Sequence, residues 1–415
     1  MAQTMKWGQA YSVLIDIGEV ANGFVLDTDK LDNTTNVLDG TTNFVDATEY
    51  VLAVSIKRGR GSQIDNMQVG VCQVQFDDRQ SGRLFDPANT ASSWYAGTYG
   101  LAPRRNFKVF AGTAEMFVGK MTDIDLQYNM PNQSFCTIVA ADGLYELART
   151  TLLGFTPSSE LTSSRVSTIL DRAEVAYSTA LRNIETGVAT CGTVSYADND
   201  NVLTALQNVA VAEDGRLYAN RKNEISFDAR IFSTFSTAVA NFGGTAGTSI
   251  PVQEISVAYG QETLFNRVSI GVDGFGTAQV VSDAASQTQY GVQSFSYDNL
   301  PLVSLAAGSA LAVNLLARYK DPKFRFDSIS TSLNACGSAQ FATLTTLDVG
   351  DVVSVTKTYS TGLPLSRTDN MYIESISHDI TPQDHRIRLG LGQANVITNF
   401  ILDTSTLDST AFGLG

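Results

Sequence analysis

The segment FDDRQSGRLFDP, residues 76–87, combines aspartates, arginines and phenylalanines directly after a run that alternates like a β-strand. A calcium loop needs acidic oxygens at alternate positions, a glycine between them and a closing glutamate, and this segment does not have that order. Arg79 and Arg83, which lie among the aspartates, would also compete with a metal ion. The segment therefore favours a charged turn after a barrel strand.

Strand-like alternation dominates the sequence around this turn. The clearest runs are YSVLIDI (11–17), YVLAVSI (50–56), CQVQF (72–76), FKVF (107–110) and TDIDLQY (122–128). In the last run apolar and polar residues occupy opposite faces, as a half-buried strand requires. A polar, aspartate-rich stretch at 26–44 contains the turn dipeptide Asp39-Gly40, so we expect an extended loop or hairpin there.

A small α/β unit is predicted in the middle of the chain, after the connection TTLLGFTPSSELTSS at 150–164. Its first helix, capped by Ser164, has an apolar face formed by Val166, Ile169, Leu170 and Ala173. Its second helix follows caps at 198–200 and repeats this spacing with Val202, Ala205, Leu206 and Val209. Residues 215–230 then predict a strand, a tight basic turn and a strand.

Alternating strands return from residue 255, interrupted by a helix at 304–322 that stops near Asp321-Pro322. We therefore predict a mainly β chain with a smaller α/β part, in which two β-barrel domains flank a mixed α/β domain. The predicted boundaries are 1–150 for the first barrel, 151–250 for the α/β domain, 251–397 for the second barrel with a helix near 305–320, and 398–415 for a C-terminal tail.

Composition narrows the classes of function. The 415 residues carry a formal charge of −14, which argues against a protein that grips DNA or an anionic membrane, because such binding needs clustered Lys and Arg. An acidic lining would instead let a nucleic acid pass without sticking. The sequence contains no stretch of eighteen apolar residues, so we predict no membrane span.

Catalytic chemistry finds little support in the sequence. The four cysteines lie far apart, without a C-x-x-C pair, and are expected to be buried free thiols. Ser377, His378 and Asp379 are adjacent on a predicted strand, where neighbours point to opposite faces and cannot relay a proton. We therefore expect His378 and His385 to be structural or interface residues, and we predict no catalytic, cofactor-binding or metal-binding residue and no enzymatic activity.

Basic residues are concentrated in the turn KRGR, residues 57–60. We expect a protein interface between charged edges, rather than nucleic-acid contact, because the acidic first fifty residues would supply partners for these cations. The candidate interface residues are Lys57, Arg58, Arg60, Arg79, Arg83, Arg104 and Arg105. Trp94 and Tyr95 leave open a carbohydrate-binding loop, although aromatic residues in a loop more often fill a local core or a subunit interface.

The order of these segments resembles the minor tail proteins of long-tailed bacteriophages. The strand that enters the KRGR turn, the FDDRQSGRLFDP turn, the APRR edge and the closing strand MTDIDLQY resemble the N-terminal barrel of that family, and Arg83, Phe85 and Pro87 match its turn pattern. The middle segments resemble its α/β domain, and the resemblance implies two tail-tube-like β-barrel domains that flank this mixed domain. Tyr290-Gly291, Asp321-Pro322 and His378 match positions of its second barrel.

The resemblance implies a baseplate hub at the tail tip of the virion, made in the host cytoplasm. Three copies would supply six barrels that continue the tail tube around the passing genomic DNA, which is not specifically bound. The implied partners are further copies of the chain, a distal tail or tail tube protein above, and tip or fibre proteins below. A distal tail protein forming a hexameric ring and a tail-associated cell-wall hydrolase remain the alternatives.

Overall fold

The structure is a computed structural model, and it describes residues 11–18, 44–79, 82–94, 100–129, 133–230, 237–244 and 249–394. The predicted acidic loop, apart from Phe44, and the predicted C-terminal tail lie outside the described residues.

The elements alternate between long strands and short helices. The first part of the chain forms β1 Tyr11–Asp16, β2 Phe44–Asp46, β3 Val51–Gly59, β4 Gln68–Asp77, β5 Asn106–Ala111, β6 Ala114–Asn129, β7 Gln133–Ala141 and α1 Gly143–Arg149. The middle part forms β8 Glu160–Leu161, α2 Thr162–Leu170, β9 Arg182–Ile184, β10 Thr190–Cys191, α3 Val202–Glu213, β11 Arg216–Ala219, β12 Ile225–Asp228 and β13 Ala240–Phe242. The last part forms β14 Glu254–Ala258, β15 Arg267–Val272, β16 Gln279–Ser282, α4 Ala284–Tyr290, β17 Ser294–Leu300, α5 Leu305–Tyr319, β18 Arg325–Ser332, α6 Ser338–Thr346, β19 Val352–Thr358, β20 Ser366–Ile380 and β21 His385–Gln393.

A single 13-stranded sheet joins the first and last parts of the chain, and its main path runs β14-β18-β21-β20-β3-β4-β7-β6-β5-β1-β2. The join is the antiparallel pairing of β3 with β20, which runs from Ile380 opposite Val54 to Ser375 opposite Gly59. Predominantly β structure is confirmed. Among the described strands, however, the pairing forms one open path and not two separately closed barrels, because β3 hydrogen-bonds to β20 as well as to β4.

One face of this sheet is buried in a core that extends across both parts of the chain. On β3 and β4, Ile56 lies opposite Cys72, and on β20 His378 lies opposite Ile56. These residues are at most 2% exposed, and Leu144 of α1 and Phe341 of α6 belong to the same core. The alternation of apolar and polar residues along each strand therefore determines which face of the sheet is buried.

The predicted α/β unit is present, with different helix starts. Helix α2 begins at Thr162, directly after strand β8, so Ser164 is inside the helix and Ala173 lies beyond its end. Leu161 occupies the cap position of α2, and the Thr162 hydroxyl donates a 2.6 Å hydrogen bond to Glu213. Helix α3 is capped by Asn201, one residue after the predicted caps, because the Asn201 side chain accepts a hydrogen bond from the Thr204 amide.

A separate three-stranded sheet, in the order β16-β15-β17, lies between β14 and β18 in the sequence. Helix α5 packs on this sheet and buries Leu311, Ala312 and Leu315 against Val268 and Ile270 of β15. It ends at Tyr319, just before Asp321-Pro322, as predicted. The sequence pattern does not predict helices α4 and α6 in this part. No helix among the described residues is long and apolar enough to span a membrane.

Candidate assembly interfaces

The basic residues 57–60, for which the sequence predicts a turn, lie at the end of strand β3, at the junction of the two parts of the large sheet. Arg58 forms an ion pair with Asp348, and Arg60 donates a 2.7 Å hydrogen bond from Nε to Oε2 of Glu374. The side chains of Arg58 and Glu374 are 2% and 4% exposed. Arg58 and Arg60 therefore form an interface inside the chain, and Lys57 alone among residues 57–60 is exposed.

Glu374 is the central carboxylate of this junction. It sits at an irregularity in the pairing of β20 with β21, between Ile373 and Ser375. Burial alone would raise the pKa of Glu374, but the guanidinium groups of Arg60 and Arg216 outweigh that effect and lower the pKa below its ordinary value. Glu374 is therefore charged in the fold, and it balances two buried cations.

The middle part of the chain is attached to the same junction. The Arg216 guanidinium lies 4.4 Å from the ring centroid of Tyr372 on β20, and its Nε is 3.5 Å from Asp228. The backbone amide of Arg221 donates a 2.7 Å hydrogen bond to Asp348, which also pairs with Arg58. The ion pairs join the first and last parts of the chain, and the Arg221 hydrogen bond and the Arg216–Tyr372 contact attach the middle part to them.

A hydrogen-bonded loop, residues 60–67, extends this junction. Tyr297 on β17 donates a 3.0 Å hydrogen bond to the Ile64 carbonyl, and Gln207 on α3 donates one of 3.1 Å to the Met67 carbonyl. Arg318 at the end of α5 holds Asp214 through two hydrogen bonds of 2.9 and 2.6 Å. Each part of the chain therefore has polar contacts with the other two.

The turn after β4 is a charged, aromatic-filled turn, as predicted. Arg79 pairs with Asp77, and Arg83 pairs with Asp86, which also accepts a 3.1 Å hydrogen bond from Tyr128. Phe85 is fully buried. Its aromatic contacts, measured between ring centroids, are Phe76 at 4.6 Å, Trp94 at 5.1 Å and Tyr50 at 5.6 Å. Asp77 and Asp86 are thus engaged by arginines, and Phe76 and Phe85 anchor the turn to the sheet.

Trp94 is part of this local core, with 8% of its surface exposed. The carbohydrate-binding alternative needs an exposed aromatic platform, which Trp94 does not supply. Tyr95 lies outside the described residues.

The edge that carries Arg104 and Arg105 borders an open groove between β6 and the middle part. Arg104 is 79% exposed and lies 3.3 Å from Glu146, which Lys120 also contacts at 2.8 Å. The Arg105 guanidinium covers Gly18, where an added Cβ would lie 2.0 Å from it. An intermolecular role for the exposed cations Lys57, Arg79, Arg83 and Arg104 and for Arg105 stays a prediction.

The two histidines form a buried hydrogen-bonded pair between β20 and β21. Nδ1 of His378 lies 3.0 Å from Nε2 of His385, and Nδ1 of His385 lies 2.6 Å from the Tyr11 hydroxyl. Burial lowers the pKa of His385 to about 3, against a smaller opposing effect of Asp384, and burial also lowers the pKa of His378. Neutral imidazoles satisfy these contacts, since each ring then has one donor and one acceptor.

The predicted separation of Ser377 and Asp379 from His378 is confirmed. His378 is buried on the core face, whereas Asp379 is exposed on the opposite face and accepts a 3.0 Å hydrogen bond from Ser55. The four cysteines are buried and free, and burial raises the pKa of Cys136 and Cys191 to about 12. Such thiols are inert, in agreement with the sequence.

The sequence pattern does not predict a role for three residues that form the junction, namely Asp348, Glu374 and Arg216. A signal exists for Glu374, because it is the single charged residue in the run MYIESI, where alternation places apolar residues. Asp348 and Arg216 have no comparable signal, since both follow ordinary turn sequences.

A scan against protein-family models finds no match, and a search of curated proteins finds none either. Solved structures do match. The 43 kDa tail protein of prophage MuSo2 from Shewanella oneidensis has a TM-score of 0.53 and 10% identity, over 85% of this chain and 95% of its own. A tail protein from Neisseria meningitidis MC58 has a TM-score of 0.58 and 9% identity, over 94% of this chain and 98% of its own.

Both likenesses extend over most of each chain, so the chain has the fold of these tail proteins. The resemblance to bacteriophage tail proteins that the order of sequence segments indicates is confirmed at the level of the fold. At 9–10% identity the likeness concerns the fold alone.

Proposed function

We propose that this chain is a structural protein of a phage virion, a baseplate hub at the tip of a long tail. In this role three copies continue the tail tube, contact a distal tail or tail tube protein above and tip or fibre proteins below, and surround a channel for the genome. The support comes from the tail-protein fold, which is shared over nearly the whole chain.

The observation that carries this proposal is the joining of two β-rich modules, residues 11–141 and 254–393, by the β3–β20 pairing. Buried ion pairs at the same point fix the modules relative to each other. A chain with two rigidly joined β modules supplies two tube segments, so three copies suit a tube with six-fold symmetry.

Charge agrees with a channel that lets DNA pass. The net charge of −14 leaves the protein without the basic excess that would hold phosphates. Passing DNA would therefore be repelled weakly and not retained.

Mass photometry of the purified protein tests the proposal through the number of copies. The hub requires a species of three chains, alone or after addition of the tube protein. A species of six chains would favour the distal tail protein, in which each chain supplies one tube segment. Monomers under all conditions, with and without the tube protein, would contradict both assignments.

A further inference from the structure

Several strand edges of the large sheet are free of strand partners within the described residues, among them the edges of β14 and of the outer half of β6. Strand β14 pairs only with β18, on one of its sides. Strand β6 pairs with β5 only as far as Lys120, so its outer half, residues 123–129, is paired with β7 alone. Free edges expose rows of backbone N–H and C=O groups that pair readily with another strand.

The strand directions of these two edges are complementary. Eight strands lead from one edge to the other, in the order β14-β18-β21-β20-β3-β4-β7-β6. Every adjacent pair among them is antiparallel. Because eight is an even number, β14 and β6 run in opposite directions. A rotated second copy therefore presents its β14 antiparallel to β6 of the first.

A ring closed in this way also has dimensions that fit a channel for DNA. At about 4.8 Å between strands, three copies with eight strands each give a circumference of about 115 Å and a diameter of about 37 Å. Such a ring is wider than a DNA duplex. It is too narrow to contain the helices that pack on the core side of the sheet, so that side must be the outside.

The other face of the eight strands has the composition of a channel wall. It carries polar residues in register, such as Ser377 opposite Lys57 and Ser55 opposite Gln73. Its cations Lys57 and Arg388 flank Ser377, and its carboxylates Asp123 and Asp125 lie on β6. All four charged side chains are exposed. The buried core of a protein interface is depleted of charged residues, whereas this face carries them.

We propose that β14 of one copy, residues Glu254–Ala258, pairs antiparallel with residues 123–129 of β6 in the next copy, so that the sheet continues around the ring. The occupant of each free edge is thus a second copy of this chain. This seam rests on the proposed hub function, and it adds the strands through which the copies meet. The polar face then lines the channel.

Disulfide cross-linking tests the seam, with Ser256→Cys on β14 combined in turn with Asp123→Cys, Asp125→Cys or Gln127→Cys on β6. These side chains lie on the polar face, and the native cysteines are buried and do not compete. A disulfide forms only where the two Cβ atoms come within about 4.5 Å. The matched control combines Ser256→Cys with Ser296→Cys, because Ser296 lies on β17, an edge strand of the other sheet.

After mild oxidation, at least one of the three pairs should give covalent dimers and trimers on a non-reducing gel, and the control pair should remain monomeric. Mass photometry of the same samples separates the two ways of failing. Trimers that form without a cross-link in any pair, or with an equal cross-link in the control, would overturn the seam and leave the hub assignment intact. Monomers alone would overturn both.

Discussion

Gly59 lies against the backbone of Glu374, and a Cβ atom at Gly59 would be 2.1 Å from the Glu374 carbonyl oxygen. Gly59 also has a φ of +105°, a conformation that side chains with a Cβ rarely adopt. The amide of the next residue, Arg60, donates a 2.8 Å hydrogen bond to that same carbonyl. The last pairing of β3 with β20 thus depends on the absence of a side chain at residue 59.

Gly59→Ala should therefore weaken the join between the two β modules. The clash and the unfavourable φ together should lower the free energy of unfolding by about 2 kcal/mol or more. Chemical denaturation measures this loss. Gly61→Ala is the matched control, since a Cβ there would meet its nearest atom at 3.6 Å. Equal stability of the two variants would contradict the role given to Gly59.

Glu374→Ala should be more damaging than the loss of an exposed ion-pair partner. The change leaves Arg60 without its carboxylate partner, and Arg216 then has only Asp228 to balance its charge. Breaking a buried pair in this way costs about 3–5 kcal/mol. Arg104→Ala removes a 79% exposed partner of Glu146 and should change stability little. Thermal and urea denaturation of both variants compare the two effects. A small effect of Glu374→Ala would show that the junction does not depend on its charge.

Phe85→Ala tests the anchoring of the charged turn after β4. Phe85 is fully buried among three aromatic rings, so its truncation should cost about 3–5 kcal/mol. Leu153→Ala, at a residue that is 59% exposed, should cost much less. If the two variants unfold at the same urea concentration, the aromatic cluster does not anchor the turn.

Acidification should destabilise the protein through its histidine pair. Burial keeps His378 and His385 neutral in the fold, whereas the unfolded side chains titrate near 6.5. The unfolded chain therefore binds more protons below that pH. Stability from the pair is complete above about pH 6.5 and is lost as the pH falls. For His385, with a folded pKa of about 3, the loss is about 2 kcal/mol between pH 7 and pH 5, and His378 adds to it in the same direction.

Several carboxyl groups, Asp142 and Asp351 among them, act in the opposite direction, so this effect has to be measured as a difference. Burial raises the pKa of Asp142 to about 7 and that of Asp351 to about 6, and both contributions become more favourable as the pH falls. The comparison is therefore between the native chain and the double variant His378→Gln, His385→Gln, unfolded by urea at several pH values. Parallel pH profiles would show that the histidines do not contribute.

Local patterns were readable from the sequence because they depend on neighbouring residues. The run TDIDLQY at 122–128 alternates between a core face and an exposed face, and it forms the outer half of β6 as predicted. The stop of α5 before Pro322 was also predictable, because proline acts on the residue before it. Helix α6, with the sequence SAQFATLTT, was missed because its threonines do not favour a helix.

Long-range pairing was not readable in the same way. Gly59 and Ser375 pair across more than 300 residues of sequence, and strand alternation is the same whether a strand closes a barrel or joins another module. For this reason the sequence pattern places Arg58 and Arg60 at an interface with other proteins, whereas their partners Asp348 and Glu374 belong to the same chain. Alternation predicts a face, but the partner strand depends on tertiary packing.

Cryo-EM of released tails, or of the purified oligomer, shows how the copies are arranged. The expected map contains three copies of the chain whose six β-rich modules form a ring, with the face that bears Lys57 and Arg388 turned toward an open channel. A ring of six copies with one module each in the wall, or an assembly in which that face points outward, would contradict the hub.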